Sequence, residues 1–542
     1  MNNFQEFIAN KLNPAQQQAV TTTDGVLLVI AGAGSGKTRV ITARIANLIL
    51  NAQVKPTSIL ALTFTNKAAQ EMQERVAHFL AQAQPDTALN ERPFVGTFHA
   101  YCLQLLKRHR HLLTLPNFTI LDSDDQEKLV NQLLKQHNLQ KTLKASTALY
   151  YFSQLKNNPT QLQALQTSQR EKLLRELLAL YEAAKQASQC YDFDDLLLET
   201  LKLFALPEFK NAFQRQIRHI LIDEYQDTSV VQHTLLRQMA LTPEQQLAAS
   251  SVCIVGDEDQ SIYSWRGATV DNIVNFRHEF PTTQVIKIEQ NYRSAAPILD
   301  LANTVIQHNQ QRYPKNLWST KQAKNRVFKA TCLSGQREAE LITDLIAHSY
   351  QQRQSIAVLY RTHSQSRTIE EALIKQNLAY QIIGGIRFYE RKEIKDLLAY
   401  LRLLVNPFDR LALERVINCP PRKLGEKFWE LVHQAWQAEP YLNCHQLLTK
   451  LMQTGDLTPG RVTALTGFLE LFTASAATNA LTPSTALRHF ISNIGYYSYL
   501  KDSYEPREAE EKLNNVKELI RAAEYAEMQN ANTVANFLEE IA

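Results

Sequence analysis

The chain has 542 residues, enough for several domains, and its 44% hydrophobic and 21% charged residues are those of an ordinary globular protein rather than a disordered or fibrous one. Its net charge of +4, from 58 basic and 54 acidic residues, is too small to mark a nucleic-acid binder by itself, so any such footprint must be local. The six cysteines (Cys102, Cys190, Cys253, Cys332, Cys419, Cys444) form no CxxC pair, which argues against a zinc site or a disulfide framework.

The opening MNNFQEFIANKLN lacks the basic and apolar pattern of a secretory signal, and no apolar run approaches the ~18 residues that span a bilayer, so a cytoplasmic chain without a membrane partner is expected. Next comes VLLVI (26–30), then AGAGSGKT (31–38), then a helical pattern. Strand, glycine turn and helix in that order are the context a phosphate-binding loop requires. Gly32, Gly34 and Gly36 let backbone N–H groups turn inward around phosphate oxygens, Lys37 brings a cation to the β- and γ-phosphates, and the Thr38 hydroxyl is placed to ligate Mg²⁺. Ala31 stands where the strict pattern has glycine.

A second short apolar run, SILALTF (58–64), is followed by TNKAA (65–69). Asn66 and Lys67 there lack the acid two positions on that would read guanine, which favours ATP over GTP. From about 100 to 215 the pattern is almost wholly helical. HILID (219–223) then reads as an apolar strand whose end carries two acids, Asp223 and the adjacent Glu224. In a nucleotide hydrolase Asp223 would hold Mg²⁺ and Glu224 would polarise the attacking water. SVCIVGD (251–257) is a further strand, opening into VGDEDQSIYSWRGA (255–268), where an acidic turn ending in Gln260 runs into Tyr263, Trp265 and Arg266. QVIKI (284–288) and SIAVLY (355–360) read as strands, and the chain is helical again from about 390. Buried strands alternating with helices predict parallel α/β sheets carrying two large helical insertions.

These blocks resemble the UvrD/Rep/PcrA group of superfamily 1 DNA helicases. LNPAQQQAV, AGAGSGKT, LTFTNKAAQEMQERV, GTFHAYC, DFDDLL, LIDEYQDTS, VGDEDQSIYSWRGA, EQNYRS, AVLYRTHSQSR and GGIRFYERKEIKDLLAYLRLLVNP stand in the family's order over nearly the whole chain. The resemblance implies two P-loop RecA-like domains with ATP between them, each with a helical insertion. The boundaries expected are 1–90 and 211–282 for the first RecA-like domain, 91–210 for its insertion, 283–380 for the second and 381–542 for the second insertion. By position Gln16 resembles an adenine-reading glutamine, with Arg39 near the base. Tyr292 resembles a residue stacked on adenine, and Arg293 an arginine reaching the γ-phosphate. The loop residues Ala31, Gly32, Ala33, Gly34, Ser35, Gly36, Lys37 and Thr38 would cradle the phosphates, with Thr38 and Asp223 on the metal. Glu224, Lys37, Gln260 and Arg293 would carry catalysis.

Phe64, Tyr263 and Trp265 are the expected plates for single-stranded bases, which any sequence offers through its π face. Asn66, Thr97, His99, Arg266, Tyr360 and Arg361 are the further DNA contacts. Asp192, Asp194 and Asp195 match a family block and equally fit a helix cap. The implied activity is an ATP-dependent 3′-to-5′ helicase or translocase on single-stranded DNA and its junctions, in repair, replication or recombination. Repair or replication proteins are expected partners through the second insertion. Two further family blocks, LMTxHxAKGLE and YVxxTRA, do not occur in the chain. The second RecA-like domain is therefore expected to be incomplete. That leaves two alternatives open: a DNA-stimulated ATPase that does not unwind, or an inactive nucleotide- and DNA-binding fragment.

Overall fold

A computed structural model describes residues 3–83, 91–140, 142–158, 169–264, 267–321, 327–350, 355–361, 364–383, 388–476, 481–504, 506–528 and 533–541. They fall into two compact units, 1–323 with 392–542, and 324–391. The six cysteines are all free thiols, and no described helix is long and apolar enough to cross a membrane.

The larger unit is built on a six-stranded sheet of β1 (Gly25–Ala31), β2 (Ile59–Thr63), β3 (Phe94–Thr97), β6 (His219–Ile222), β7 (Ser251–Gly256) and β8 (Gln284–Ile288). Its order is β3-β2-β6-β7-β1-β8, and every neighbouring pair is parallel. Both faces are covered, so the inner strands read as continuous apolar runs. In β1, Val26, Leu28 and Ile30 enter one core while Leu27, Val29 and Ala31 enter the other. Helix Lys37–Leu50 follows β1 directly, and helices Asn66–Ala83 and Val230–Ala240 follow β2 and β6.

The sheet reaches beyond the boundaries expected from sequence. Phe94–Thr97 was expected in the first insertion but pairs with β2, and Gln284–Ile288 was expected in the second RecA-like domain but pairs with β1. The expected strand at 355–360 is not formed: those residues are non-helical and outside any ladder, with Leu359 94% exposed. A parallel strand needs a hydrogen-bonded neighbour, and the described residues of 324–391 contain helices Gly335–Tyr350 and Ser364–Lys375 and no strand.

The first insertion carries a two-stranded parallel ribbon of β4 (Thr119–Ile120) and β5 (Cys190–Tyr191) among helices between Phe98 and Gln216. The acids of DFDDLL start one of these helices. Asp192 Oδ1 accepts from Asp195 N at 3.0 Å and Asp195 Oδ2 from Asp192 N at 2.8 Å, a capping box. The same two carboxylates hold the buried ammonium groups of Lys156 and Lys185 at 2.5–2.8 Å. This is the helix-cap reading of that block. The described residues of 392–541 form helices around Tyr400, Phe468, Phe472 and Phe490. They join the first insertion through Arg402–Asp125, Lys395–Asp122 at 3.0 Å and Thr119–Asp409 at 3.2 Å.

Candidate nucleotide and DNA site

Parallel sheets place their loops at the carboxyl ends of the strands, which is where such folds bind ligands. Here β1 runs into Gly32–Thr38, β2 into Phe64, β3 into Phe98 and His99, β6 into Asp223 and Glu224, β7 into the 257–260 turn, and β8 into Asn291–Arg293. Because β7 lies between β6 and β1, its turn must sit between the two acids and the phosphate loop.

The geometry bears out that adjacency. Lys37 Nζ lies 2.9 Å from Glu224 Oε2 and donates to Gln260 Oε1 at 3.2 Å. The Gln260 amide in turn donates to Asp257 Oδ2. Gln226, which the sequence reading did not single out, ties the acids together: its Nε2 donates to Glu224 Oε2 at 2.8 Å and its Oε1 accepts from Asp257 N at 2.9 Å. Glu224 has φ +49°, a left-handed backbone rarely taken by a residue with a side chain. That turn separates it from its neighbour, leaving Asp223 buried while the Glu224 side chain is 33% exposed.

Burial, and then the adjacent Glu224 carboxylate, push the Asp223 carboxyl up to about 7, against the pull of Lys37. Lys37 pairs with Glu224 and acts on Asp223 only through its field, so among the described residues the buried Asp223 carboxyl has no cation at ion-pair distance; with the half-buried Thr38 hydroxyl it offers the oxygen donors that suit a divalent cation. A consequence follows for the metal-free chain. The folded Asp223 binds a proton that the unfolded one has lost between about 3.8 and about 7, so its contribution to stability falls as pH rises through that window. Asp223→Asn should therefore stabilise the metal-free protein at pH 8 by on the order of 1 kcal/mol or more, seen as a higher melting temperature, and by less at pH 5. Thermal unfolding at the two pH values checks this; an equal shift at both would refute it.

The phosphate loop is held on two sides. Gln16 is fully buried: its Nε2 donates to Ser35 O at 2.8 Å and its Oε1 accepts from Asn13 N at 3.1 Å. Both ends of this amide, expected from the resemblance to read adenine, are thus taken up by the loop and a capping box. Gly36 has φ +91°, and a Cβ there would meet Gln16 Nε2 at 3.0 Å. From the other side Asn291 Nδ2 donates to Ala33 O at 2.5 Å and Tyr292 N to Gly34 O at 2.9 Å. Gly34, φ +70°, leaves room for this approach, since a Cβ would lie 2.7 Å from both Arg293 Cβ and Asn291 Nδ2. The Tyr292 hydroxyl accepts from Asn13 Nδ2 at 3.0 Å and donates to Gln290 Oε1 at 2.9 Å. Tyr292, Arg293 and Arg39 are exposed beside the loop. Asn13 and Asn291 were missed by sequence reading; the N-P-x-Q cap spacing at 13–16 was the available signal for the first.

Of the candidate DNA residues, Phe64 and Tyr263 meet, with ring centroids 4.6 Å apart and planes at 37°. Trp265 and Arg266 lie outside the described residues. Thr97 is buried and caps the helix Phe98–Arg108, its hydroxyl accepting from Ala100 N at 3.2 Å. His99 is half-buried, its ring 6.0 Å from that of Phe193, and loss of water contact pushes its imidazole down to about 4. At neutral pH it is therefore a hydrogen-bonding group and not a cation for phosphate. Asn66 is exposed at the start of its helix. Tyr360 and Arg361 belong to the 324–391 unit, where Arg361 N donates to Gln365 Oε1 at 3.0 Å.

The family model of the UvrD/REP helicase N-terminal domain matches residues 12–281, and that of the UvrD-like helicase C-terminal domain matches 286–542. The chain is 37% identical over 556 residues to the ATP-dependent DNA helicase PcrA of Bacillus subtilis, covering all of this chain and 73% of that protein. It is 40% identical over 434 residues to the protein of that name from Staphylococcus aureus (strain Mu50), covering 78% of this chain and 58% of the relative. For Staphylococcus epidermidis the values are 39% over 427 residues, 77% and 57%. The match to the staphylococcal relatives thus spans less than two thirds of their length.

Proposed function

The chain belongs to the UvrD/Rep/PcrA-type superfamily 1 helicases, and from that premise we propose that it hydrolyses Mg-ATP to move 3′-to-5′ along single-stranded DNA and separate duplex ahead of it. The observation that carries the reading is the meeting of Lys37, Glu224 and Gln260 at the mouth of the phosphate loop, where two motifs distant in sequence come within 3.2 Å of the Lys37 ammonium.

In this reading Lys37 leaves Glu224 for the β- and γ-phosphates when nucleotide enters. Glu224, freed but still held by Gln226, takes a proton from the attacking water. Mg²⁺ held by Thr38 and Asp223 would neutralise charge developing between the β- and γ-phosphates. Arg293 stabilises the transferring phosphoryl, and Tyr292 lies along the base. Gln260 carries the change at the γ-phosphate to Tyr263, three residues on, which stacks bases together with Phe64.

Two measurements test the reading. ATP hydrolysis by the 542-residue chain should rise strongly with a single-stranded oligonucleotide. A partial duplex with a 3′ tail should be unwound while its 5′-tailed counterpart is not. Stimulated hydrolysis with neither substrate opened would leave a translocase; no hydrolysis would end the enzyme reading. For the stacking role, Tyr263→Ala should weaken oligo-dT binding about 5- to 150-fold, the ~1–3 kcal/mol of one base–aromatic stack. Unchanged affinity in a fluorescence-anisotropy titration would remove Tyr263 from the DNA path.

A further inference from the structure

The acidic turn after β7 poses a problem that the proposed mechanism does not use. Asp257, Glu258 and Asp259 are consecutive carboxylates, with side chains only 4%, 1% and 8% exposed. Buried like charges in a row open to water unless cations reach them. One side chain reaches all three. Lys315 Nζ lies 2.8 Å from Asp257 Oδ1, 2.6 Å from Glu258 Oε1 and 2.7 Å from Asp259 Oδ2, and is itself 2% exposed. Arg312 adds a second pairing with Asp259 at 2.8 Å, and Tyr313 N donates to Glu258 Oε1 at 2.9 Å.

We infer that Lys315 is a positioning residue for Gln260. Asp257 is the link: the carboxylate held by Lys315 through Oδ1 accepts the Gln260 amide through Oδ2, and Gln260 then presents Oε1 to Lys37. Fixing one end of the Asp257 carboxylate orients the other, and so aims the glutamine at the phosphate site. The strap that carries Lys315 also reaches the nucleotide loop. Three residues on, Trp318 O accepts from Asn291 N at 2.7 Å, and Asn291 bonds the phosphate loop. The strap therefore holds the Gln260 turn and the Tyr292–Arg293 loop to one another, so that a change at either is felt at both. Taking Lys315 away leaves three carboxylates against Arg312 alone among the described residues. The turn would relax toward water and Gln260 would lose its aim, while Lys37, Thr38 and Asp223 keep their places.

The inference rests on the ATPase reading, and its test separates the two. Lys315→Met should lower the DNA-stimulated turnover number about 10- to 100-fold, the scale of losing an outer-shell partner, while the KM for ATP changes less than about threefold. Lys315→Arg, which keeps the cation, should recover most of the loss. Hydrogen exchange of the peptide 251–264 reads the turn directly, in a chain that turns over or not: protection should fall in Lys315→Met and return in Lys315→Arg. If Lys315→Met does not fold, Lys315→Met with Glu258→Gln restores the charge balance, and should fold yet remain slow because Asp257 is still untethered. Wild-type turnover in Lys315→Met, a loss confined to KM, or unchanged exchange at 251–264 would each overturn the role of Lys315. A wild-type chain without ATPase would sink the functional reading instead, and the exchange result would still decide whether Lys315 holds the turn.

Discussion

Glu224→Gln should bind ATP at least as tightly as the wild-type chain and hydrolyse it about 10²- to 10⁴-fold more slowly. The substitution keeps the shape of the side chain, so Gln226 and Lys37 still have a polar partner at 2.8–2.9 Å. What it removes is the basic oxygen, and with it a charge. Burial and then that charge are what push Asp223 up to about 7. Without it Asp223 ionises at lower pH and becomes a better metal ligand near neutrality, so nucleotide affinity is expected to hold or rise while turnover collapses. The split distinguishes a base from a merely structural carboxylate, whose loss would harm both. The measurement is paired: titration with a fluorescent ATP analogue, and phosphate release with saturating single-stranded DNA. Near-normal turnover would take the base role from Glu224. Joint loss of binding and turnover would mean that the left-handed backbone at 224, φ +49°, depends on the charge and that the turn has collapsed.

Much of the first domain was legible because its strands are buried on both faces. VLLVI, SILALTF, HILID and SVCIVGD are short continuous apolar runs, and all form ladder strands. Phe94–Thr97 escaped because four residues including a glycine carry too little pattern; only a neighbour, β2, makes them a strand. QVIKI was recognised as a strand but assigned to the wrong sheet, since periodicity tells what an element is and not whom it pairs with. SIAVLY shows the converse: it has the composition of a strand, yet the described residues of its unit contain no strand for it to pair with, and its leucine is in solvent.

At the site, the groups that resemble reaction chemistry were visible and the groups that aim them were not. Lys37, Asp223, Glu224 and Gln260 stand in recognisable spacing. Gln226, Asn291 and Lys315 act through a backbone N–H, a carbonyl and a carboxylate up to 258 residues away in sequence. An asparagine before a tyrosine, or a lysine after a proline, says nothing alone about which loop it will hold. The fold supplies that information, by setting β6, β7, β1 and β8 side by side and stacking their carboxyl-end loops.

Arg293→Ala is the second large expected effect: a turnover about 10³-fold or more below wild type, with nucleotide affinity changed far less. The sequence around Arg293 equally suits a surface arginine next to the start of helix Ala296–Ile306, and its exposure agrees with either role. The backbone separates them. Asn291 Oδ1 accepts from Arg293 N at 2.8 Å and from Ser294 N at 2.7 Å, while its amide donates to Ala33 O at 2.5 Å. One asparagine therefore fixes Arg293 at both its own amide and the phosphate loop. Its Cβ would touch any side chain placed on Gly34, so the stem starts in contact with that loop. An incidental surface arginine needs no such anchoring; a cation that must meet charge as it develops on a phosphoryl group does, because pre-set dipoles and charges act without reorganising. Arg293→Lys should recover little, since a single ammonium cannot reproduce the planar fork that spans two phosphoryl oxygens. Single-turnover hydrolysis with saturating oligonucleotide measures the chemical step directly. If Arg293→Ala stays within about tenfold of wild type there, transition-state charge is being met by Lys37 and the metal alone, and Arg293 serves the loop and not the reaction.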